Sequence, residues 1–194
     1  MISTIVLMIS LLLIILITIV VGRAIIKKQQ IIGQPPIPVF FFILAKTLVI
    51  VNLTFLLLKG LNINVYRLFI SNKFIDIIAL IFLIIGTFIL FLSTIKLNKD
   101  LVFGLSSSET HQLQTNGVYS ISRHPFYLGF IFILFSSCLF NPHYLNILAF
   151  IGAWIIHHVI IIKEEQFLSS QYGEKYSQYK NKVNRDLTIK YLQK

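Results

Sequence analysis

The chain has 194 residues, 56% of them hydrophobic, with a mean hydropathy of +0.83 and a formal net charge of +10. So much apolar material exceeds what a soluble core of this size requires, which excludes an ordinary soluble domain and points to an integral membrane protein. The cations stand at the ends of apolar runs and along the tail rather than in one stripe interleaved with aromatics, so no nucleic-acid partner is expected.

The first apolar run covers residues 2–21, and two more follow at 39–58 and 74–95. About 20 helical residues at 1.5 Å each cross a hydrocarbon core of roughly 30 Å, so each run predicts a span. The first run does not read as a cleaved leader, because no Lys or Arg precedes it, it is too long, and no small-residue cleavage site follows. "QQIIGQPPIPV" at 29–39 is a proline-rich connector biased toward extended backbone. "KGLNINVYRLFISNK" at 59–73 alternates polar and apolar residues and suits an interfacial position. Two shorter runs, 126–140 and 144–162, are separated by "NPH" and read as a helical hairpin with a short first arm. The expected fold is all-α: a polytopic membrane helical bundle of about five transmembrane helices. Single Cys138 lies inside an apolar run, can form no disulfide within the chain, and reads as packing.

Arg23, Lys27 and Lys28 follow the first run, and Lys163, Lys175, Lys180, Lys182 and Arg185 follow the last. The positive-inside tendency then puts the N-terminus outside and the C-terminus in the cytoplasm, with Lys59, Arg67 and Lys73 weighing against it.

By chemistry the chain divides near residue 95. Residues 1–95 are nearly all hydrocarbon-facing, whereas polar, aromatic and ionisable residues accumulate over 96–194, where function is expected. The segment 96–124 is too polar for lipid and longer than an ordinary connection, and such loops tend to carry function. In "TNGVYSISRHPFYLG", 115–129, Pro125 suits a first helical position. The helix would begin with its free N–H groups and positive dipole end beside Arg123 and His124. That is a site for a carboxylate or phosphate, or, with Tyr119 and Tyr127, an anchoring belt at headgroup level.

In the last span His157 and His158 interrupt the hydrocarbon, where ionisable side chains usually face the bundle interior or a wet cavity. A spacing of seven puts His157 on the face of Glu164 and His158 on that of Glu165. The histidines fit either a functional role or hydrogen bonding between helices. No third His, Cys pair or further carboxylate has ligand spacing with them, so no metal is expected. Nucleotide-binding, hydrolase and zinc-protease signatures are absent. Beyond residue 162, Phe167 or Leu168, then Tyr172, Tyr176, Tyr179 and Val183 recur at spacings of three and four. They predict an amphipathic helix, bent near Gly173, that packs on the bundle or on headgroups. Read this way, the residues give a polar, aromatic pocket on one membrane face opposite a carboxylate pair, without naming a reaction.

"ETHQLQTNGVYSISRHPFYLGF", then "NP", then "EEQFLSSQYGEKYSQYKNKV" resembles the isoprenylcysteine carboxyl methyltransferase family and its phospholipid methyltransferase relatives. The likeness covers about residues 104–185, and the first half matches only as generic spans. It implies a membrane enzyme that binds S-adenosylmethionine in a cytosol-facing pocket and methylates a lipophilic acceptor entering from the bilayer. By position, the resemblance lines that cofactor with His111, Gln112, Leu113, Gln114, Tyr119, His124, Pro125, Phe126, Tyr127 and Glu164. Arg123 and the helix start suit the cofactor's carboxylate. Where the prenylcysteine enzymes carry an arginine for the substrate carboxylate, four residues before the cofactor glutamate, this chain has Ile160. His157, one turn earlier, is the candidate catalytic residue, as a proton-bearing donor or as a base toward an amine or thiol. The family's proline near the end of the tail motif is also missing, the chain reading "NRDL" at 184–187. Two further readings stand: a phospholipid or other small-lipophile (amine or thiol) methyltransferase, and a non-catalytic membrane protein or small transporter of the same fold.

Overall fold

A computed structural model describes residues 1–26, 33–66, 68, 72–97 and 113–186. Parts of the proline-rich connector, of the 59–73 segment and of the long polar segment lie outside the described residues, as does the end of the tail. The described residues form six α-helices: α1 (Ile2–Ile26), α2 (Val39–Gly60), α3 (Lys73–Leu97), α4 (Pro125–Phe140), α5 (Tyr144–Tyr172) and α6 (Glu174–Lys182). A 3₁₀ turn, Gly117–Ser120, precedes α4. The protein is thus an all-helical membrane bundle. Four helices, α1, α2, α3 and α5, are long and apolar enough to cross a membrane, while α4 is a shorter apolar helix of 16 residues.

That shortness has a structural answer. Sixteen residues reach about 24 Å, less than the hydrocarbon thickness, so the "NPH" turn falls at a depth where backbone polar groups must be satisfied by protein. Asn141 Nδ2 donates to the Phe55 carbonyl at 2.7 Å, and Asn146 Nδ2 donates to the carbonyls of Ser137 (3.0 Å) and Asn141 (2.9 Å). Ser137 Oγ donates to the Asn52 carbonyl at 2.7 Å, tying α4 to α2. Cys138 is buried in the same network, its thiol directed at the Asn146 carbonyl.

The closest helix pair is α3 with α4. Gly86 and Gly129 face each other there, and a Cβ on either would lie 2.8 Å from the other's carbonyl oxygen. Only hydrogen at both positions permits the approach, and Phe82 then wedges edge-on against Phe132 and Phe135 at 5.3 and 5.1 Å. The main core draws on α1 through α4, with Val6, Leu56, Leu83 and Ile133 fully buried. Helix α2 also runs along α5, forming a second, smaller cluster of Phe42, Ala45 and Ile160.

Twenty-nine residues make α5 the longest helix, about 43 Å, so its last turns rise beyond the bundle. Gly173 ends it with φ +51, a left-handed conformation that glycine adopts without a Cβ clash, and α6 turns back. The tyrosine stripe lands on protein: Tyr176, Tyr179 and Val183 are buried together with Leu113, Leu168 and Tyr172 packed against them.

Candidate functional site

Adjacent residues on a helix point about 100° apart, so the two glutamates near the end of α5 leave it in different directions, and His124 is the side chain that reaches both. Glu165, buried, faces the docked tail. Arg123 donates to its Oε1 from Nη2 (2.6 Å) and Nε (3.0 Å), and Arg185 donates to Oε2 at 2.6 Å. Arg123 Nη1 also donates to the carbonyls of Val183 (2.6 Å) and Lys180 (3.3 Å). Its backbone N–H donates to the Asn184 carbonyl at 3.0 Å, and Ser122 Oγ donates to the Arg185 carbonyl at 2.8 Å. With all three guanidinium nitrogens engaged, Arg123 is a clamp between loop, α5 and tail. Where the sequence suggested a ligand carboxylate beside Arg123, the structure has the chain's own Glu165, whose Oε1 accepts from two of its nitrogens. Beside that carboxylate, Arg185 is held even further above its ordinary range.

Glu164 points the other way, to the start of α4. Tyr127 donates its hydroxyl to Glu164 Oε1 at 2.5 Å, and His124 Nδ1 lies 3.9 Å from Oε2. His124 caps α4 ahead of Pro125, its own N–H donating to Ser122 Oγ at 3.1 Å. Its Nε2 is buried 3.4 Å from Glu165 Oε1, within ion-pair reach but without hydrogen-bond geometry. Phe126 packs edge-on against Tyr127 and Phe130. Tyr119 is buried and its carbonyl accepts from the Tyr179 hydroxyl at 2.6 Å, so tail and loop are joined there as well. Burial holds the Tyr119 and Tyr179 hydroxyls above their ordinary range. Leu113 packs on the tail cluster and Gln114 is half-buried next to it in the chain, while His111 and Gln112 lie outside the described residues.

Below Glu164, His157 is buried with its ring 5.7 Å from that of Tyr127. Its Nδ1 lies 2.8 Å from the Ala153 carbonyl, which can only accept. The proton therefore sits on Nδ1, and the neutral ring presents a lone pair at Nε2. His158, by contrast, is exposed and meets no part of the Glu165 cluster, because Glu165 is covered by the docked tail and His158 lies a turn and more below it. Beside His157 and Tyr127 a narrow apolar cleft of only about 10 Å3 lies between α2, α4 and α5, lined by Val49, Phe130, Leu134, Phe150 and Trp154. Trp154 is 50% exposed on the outer face of α5, so the cleft opens toward the surface that meets lipid.

Two participants escaped the sequence reading. Arg185 was legible only as one more tail cation. Lys46, in the middle of the second apolar run, stands over the Phe42 ring at 5.0 Å and interacts electrostatically with both His157 and Glu164. The available signal was the lone cation within hydrocarbon, the same signal that drew notice to His157.

A family model described as phospholipid methyltransferase matches residues 74–175, just over half the chain, from α3 into α6. The chain is 30% identical over 117 residues to a probable protein-S-isoprenylcysteine O-methyltransferase of Oryza sativa subsp. indica, a match covering 59% of this chain and 61% of that protein. It is 41% identical over 75 residues to a protein-S-isoprenylcysteine O-methyltransferase of Saccharomyces cerevisiae, covering 38% of this chain and 31% of the yeast protein. A methanethiol S-methyltransferase 1 of Bradyrhizobium diazoefficiens is 31% identical over 108 residues, covering 51% and 37%. The chain thus spans between 31% and 61% of the length of these relatives.

Proposed function

The chain belongs to the phospholipid methyltransferase family, and from that premise we propose that it is a membrane methyltransferase using S-adenosylmethionine to methylate a lipophilic acceptor that reaches the site from the bilayer. The acceptor chemistry favoured is that named in its relatives, the carboxyl group of an isoprenylcysteine. The observation that carries this reading is the division of labour between the glutamates. Glu165 is neutralised by two arginines, whereas Glu164 accepts from the Tyr127 phenol beside the His124 imidazole and, with no guanidinium bound to it among the described residues, offers its negative charge to a cation.

The residues present fit the cofactor. Glu164 offsets its positive charge, His124 brings a buried ring nitrogen without a hydrogen bond, and Phe126 and Tyr127 offer aromatic faces to the adenine. Pro125, Tyr119, Leu113 and Gln114 are assigned to the loop side of the pocket, and His111 and Gln112, outside the described residues, are assigned to the cofactor by the resemblance alone. S-adenosylmethionine, if bound there, would supply an electrophilic methyl group on a sulfonium centre. The protein's task is alignment and exclusion of water, which the buried ring of Tyr127, His157 and the cleft below them favours. The pocket opens to the cytosol in this reading, with the N-terminus outside, as the basic residues following α5 suggest.

A second reading, an amine or thiol acceptor, is favoured by the His157 geometry, since with Nδ1 donating to the Ala153 carbonyl the neutral ring keeps a basic Nε2 that can take the proton such an acceptor must lose. The match to a thiol methyltransferase points the same way.

The test is calorimetric titration of the purified protein with S-adenosylmethionine, followed by a labelled-methyl assay on a prenylcysteine, an ethanolamine phospholipid and a hydrophobic thiol. Saturable donor binding that weakens at least about tenfold in Glu164→Gln is expected, since hydrogen bonds to a charged group contribute about 1.5–3 kcal/mol. Full-strength binding by that variant would remove Glu164 from the site, and no binding by the folded wild type would end the enzyme reading.

A further inference from the structure

Ser122 is buried and uses one hydroxyl twice. Its Oγ donates to the Arg185 carbonyl at 2.8 Å and accepts the backbone N–H of His124 at 3.1 Å, so the tail is joined directly to the residue that caps α4. The next position is tied in parallel, Arg123 N–H donating to the Asn184 carbonyl at 3.0 Å. On its other side the His124 carbonyl accepts from Leu128 N–H of α4 at 3.0 Å. Residues 122–124 are therefore fixed between the tail and the start of α4. A buried backbone group must find a partner somewhere, and here the tail provides it. The same loop carries Tyr119 and His124, both assigned to the methyl donor, and the Tyr179 hydroxyl holds the Tyr119 carbonyl at 2.6 Å.

The side chain of His124 is where tail and pocket meet. Nδ1 lies 3.9 Å from Glu164 Oε2 and Nε2 lies 3.4 Å from Glu165 Oε1, so the ring stands between the two carboxylates. Which of them it serves depends on how well Glu165 is satisfied by others. Arg123 takes Oε1 with two nitrogens and Arg185 takes Oε2 at 2.6 Å, so Nε2 makes no hydrogen bond there and the ring stays available to the Glu164 side. Without Arg185, a buried carboxylate oxygen is left unsatisfied, which is costly, and His124 is the donor at hand to turn toward it. We infer that Ser122 and Arg185 are positioning residues of the donor pocket, acting through His124, so that docking of the tail and binding of S-adenosylmethionine strengthen one another. The coupling rests on the methyltransferase reading and adds two residues that the resemblance does not assign to the donor. Linkage makes it reciprocal: the factor by which a docked tail raises donor affinity is the factor by which bound donor favours the docked tail. Arg185 meets Glu165 through Nη2 alone, its Nε being buried without a hydrogen bond, so a lysine ammonium suffices in its place.

The experiment uses the full chain in nanodiscs with S-adenosylmethionine as the probe, and reads two quantities on the same samples. One is donor affinity by calorimetry. The other is the rate of tryptic cleavage at Lys175, Lys180 and Lys182, followed by mass spectrometry with and without saturating donor. In the wild type, donor should slow that cleavage at least about fivefold, the low end of typical couplings between sites. Ser122→Ala and Arg185→Met should each weaken donor binding at least about fivefold and lose most of the donor-dependent protection. Arg185→Lys should recover both to within about twofold of the wild type. A tail that merely packs would be cut faster in the variants with or without donor, and donor affinity would not follow. Affinity within about twofold of wild type in both Ser122→Ala and Arg185→Met overturns the inference, as does a wild-type cleavage rate that ignores saturating donor. The wild-type arm needs no substitution, so it still decides if a variant does not fold. Absence of donor binding by the wild type sinks the methyltransferase reading and the coupling together, whereas binding that neither substitution weakens sinks the coupling alone.

Discussion

Tyr127 touches every part of the site: it donates to Glu164, rings it with His124 and His157, and caps the cleft. Tyr127→Phe keeps the ring and deletes one donor to a carboxylate. The expected result is a three- to tenfold loss of donor affinity by calorimetry with a stability change of about 1 kcal/mol or less, the net size of a single hydrogen bond. Unchanged affinity would reduce the hydroxyl to a packing group. Much of this cluster was readable from "SRHPFY", because proline at a helix start and flanking polar rings have local meaning. Arg123 was readable as a residue but not in its role, since its partner lies 42 positions away and nothing local selects Glu165 over a ligand. Lys46 was hidden for a related reason. A cation in hydrocarbon announces that it needs a partner, yet the partners stand on α5 and only helix pairing reveals them.

The tail helix behaves as a fastened strap. Its stripe of tyrosines was legible as an amphipathic helix bent at Gly173, and the structure has both, but the same stripe would suit headgroups equally well. What decides for protein is polar: Arg123 joins Glu165 to the carbonyls of Lys180 and Val183, and Tyr179 reaches the Tyr119 carbonyl. Breaking a buried ion pair by removing one partner typically costs about 3–5 kcal/mol, and Arg185 still holds Glu165, so Arg123→Met is expected to cost about 3 kcal/mol. The readout is limited trypsinolysis, in which cleavage at Lys175, Lys180 and Lys182 should accelerate before the bundle melts. Equal cleavage rates in variant and wild type would show that the tyrosine cluster alone secures α6.

The spanning helices were the easiest part of the architecture to foresee, because length and hydrocarbon content define them, and the short arm ending at "NPH" was visible too. How they pair was not visible. Gly86 and Gly129 are single glycines in apolar runs, and only their mutual contact shows why α3 and α4 come so close. The docked tail also sets how the assembly responds to alkali. Burial and the nearby Glu165 push the Tyr176 hydroxyl up to about 12, and Tyr179 and Tyr119 are raised as well. Below pH about 10 these phenols are protonated whether folded or unfolded, so their contribution to stability is intact. Between about 10 and 12 the unfolded chain releases protons that the docked tail retains, and stability falls as pH rises. Tyrosine ionisation followed by absorbance should lag that of free tyrosine by up to two pH units and coincide with protease sensitivity of α6. Titration of every tyrosine near 10 with the tail still protected would contradict this. The two neighbouring glutamates also make the chain unequally tolerant of changes in length. Deleting one residue from α5 between His157 and Glu164 slides Glu165 into the pocket position and brings Gln166 to the arginines, which spares the ligand-facing charge and loses the clamp. Inserting one residue there keeps a glutamate against the arginines but turns Lys163 into the pocket, reversing its charge. Drift in this lineage should therefore show gaps in the loops around α5 and an unbroken count from His157 to Glu165.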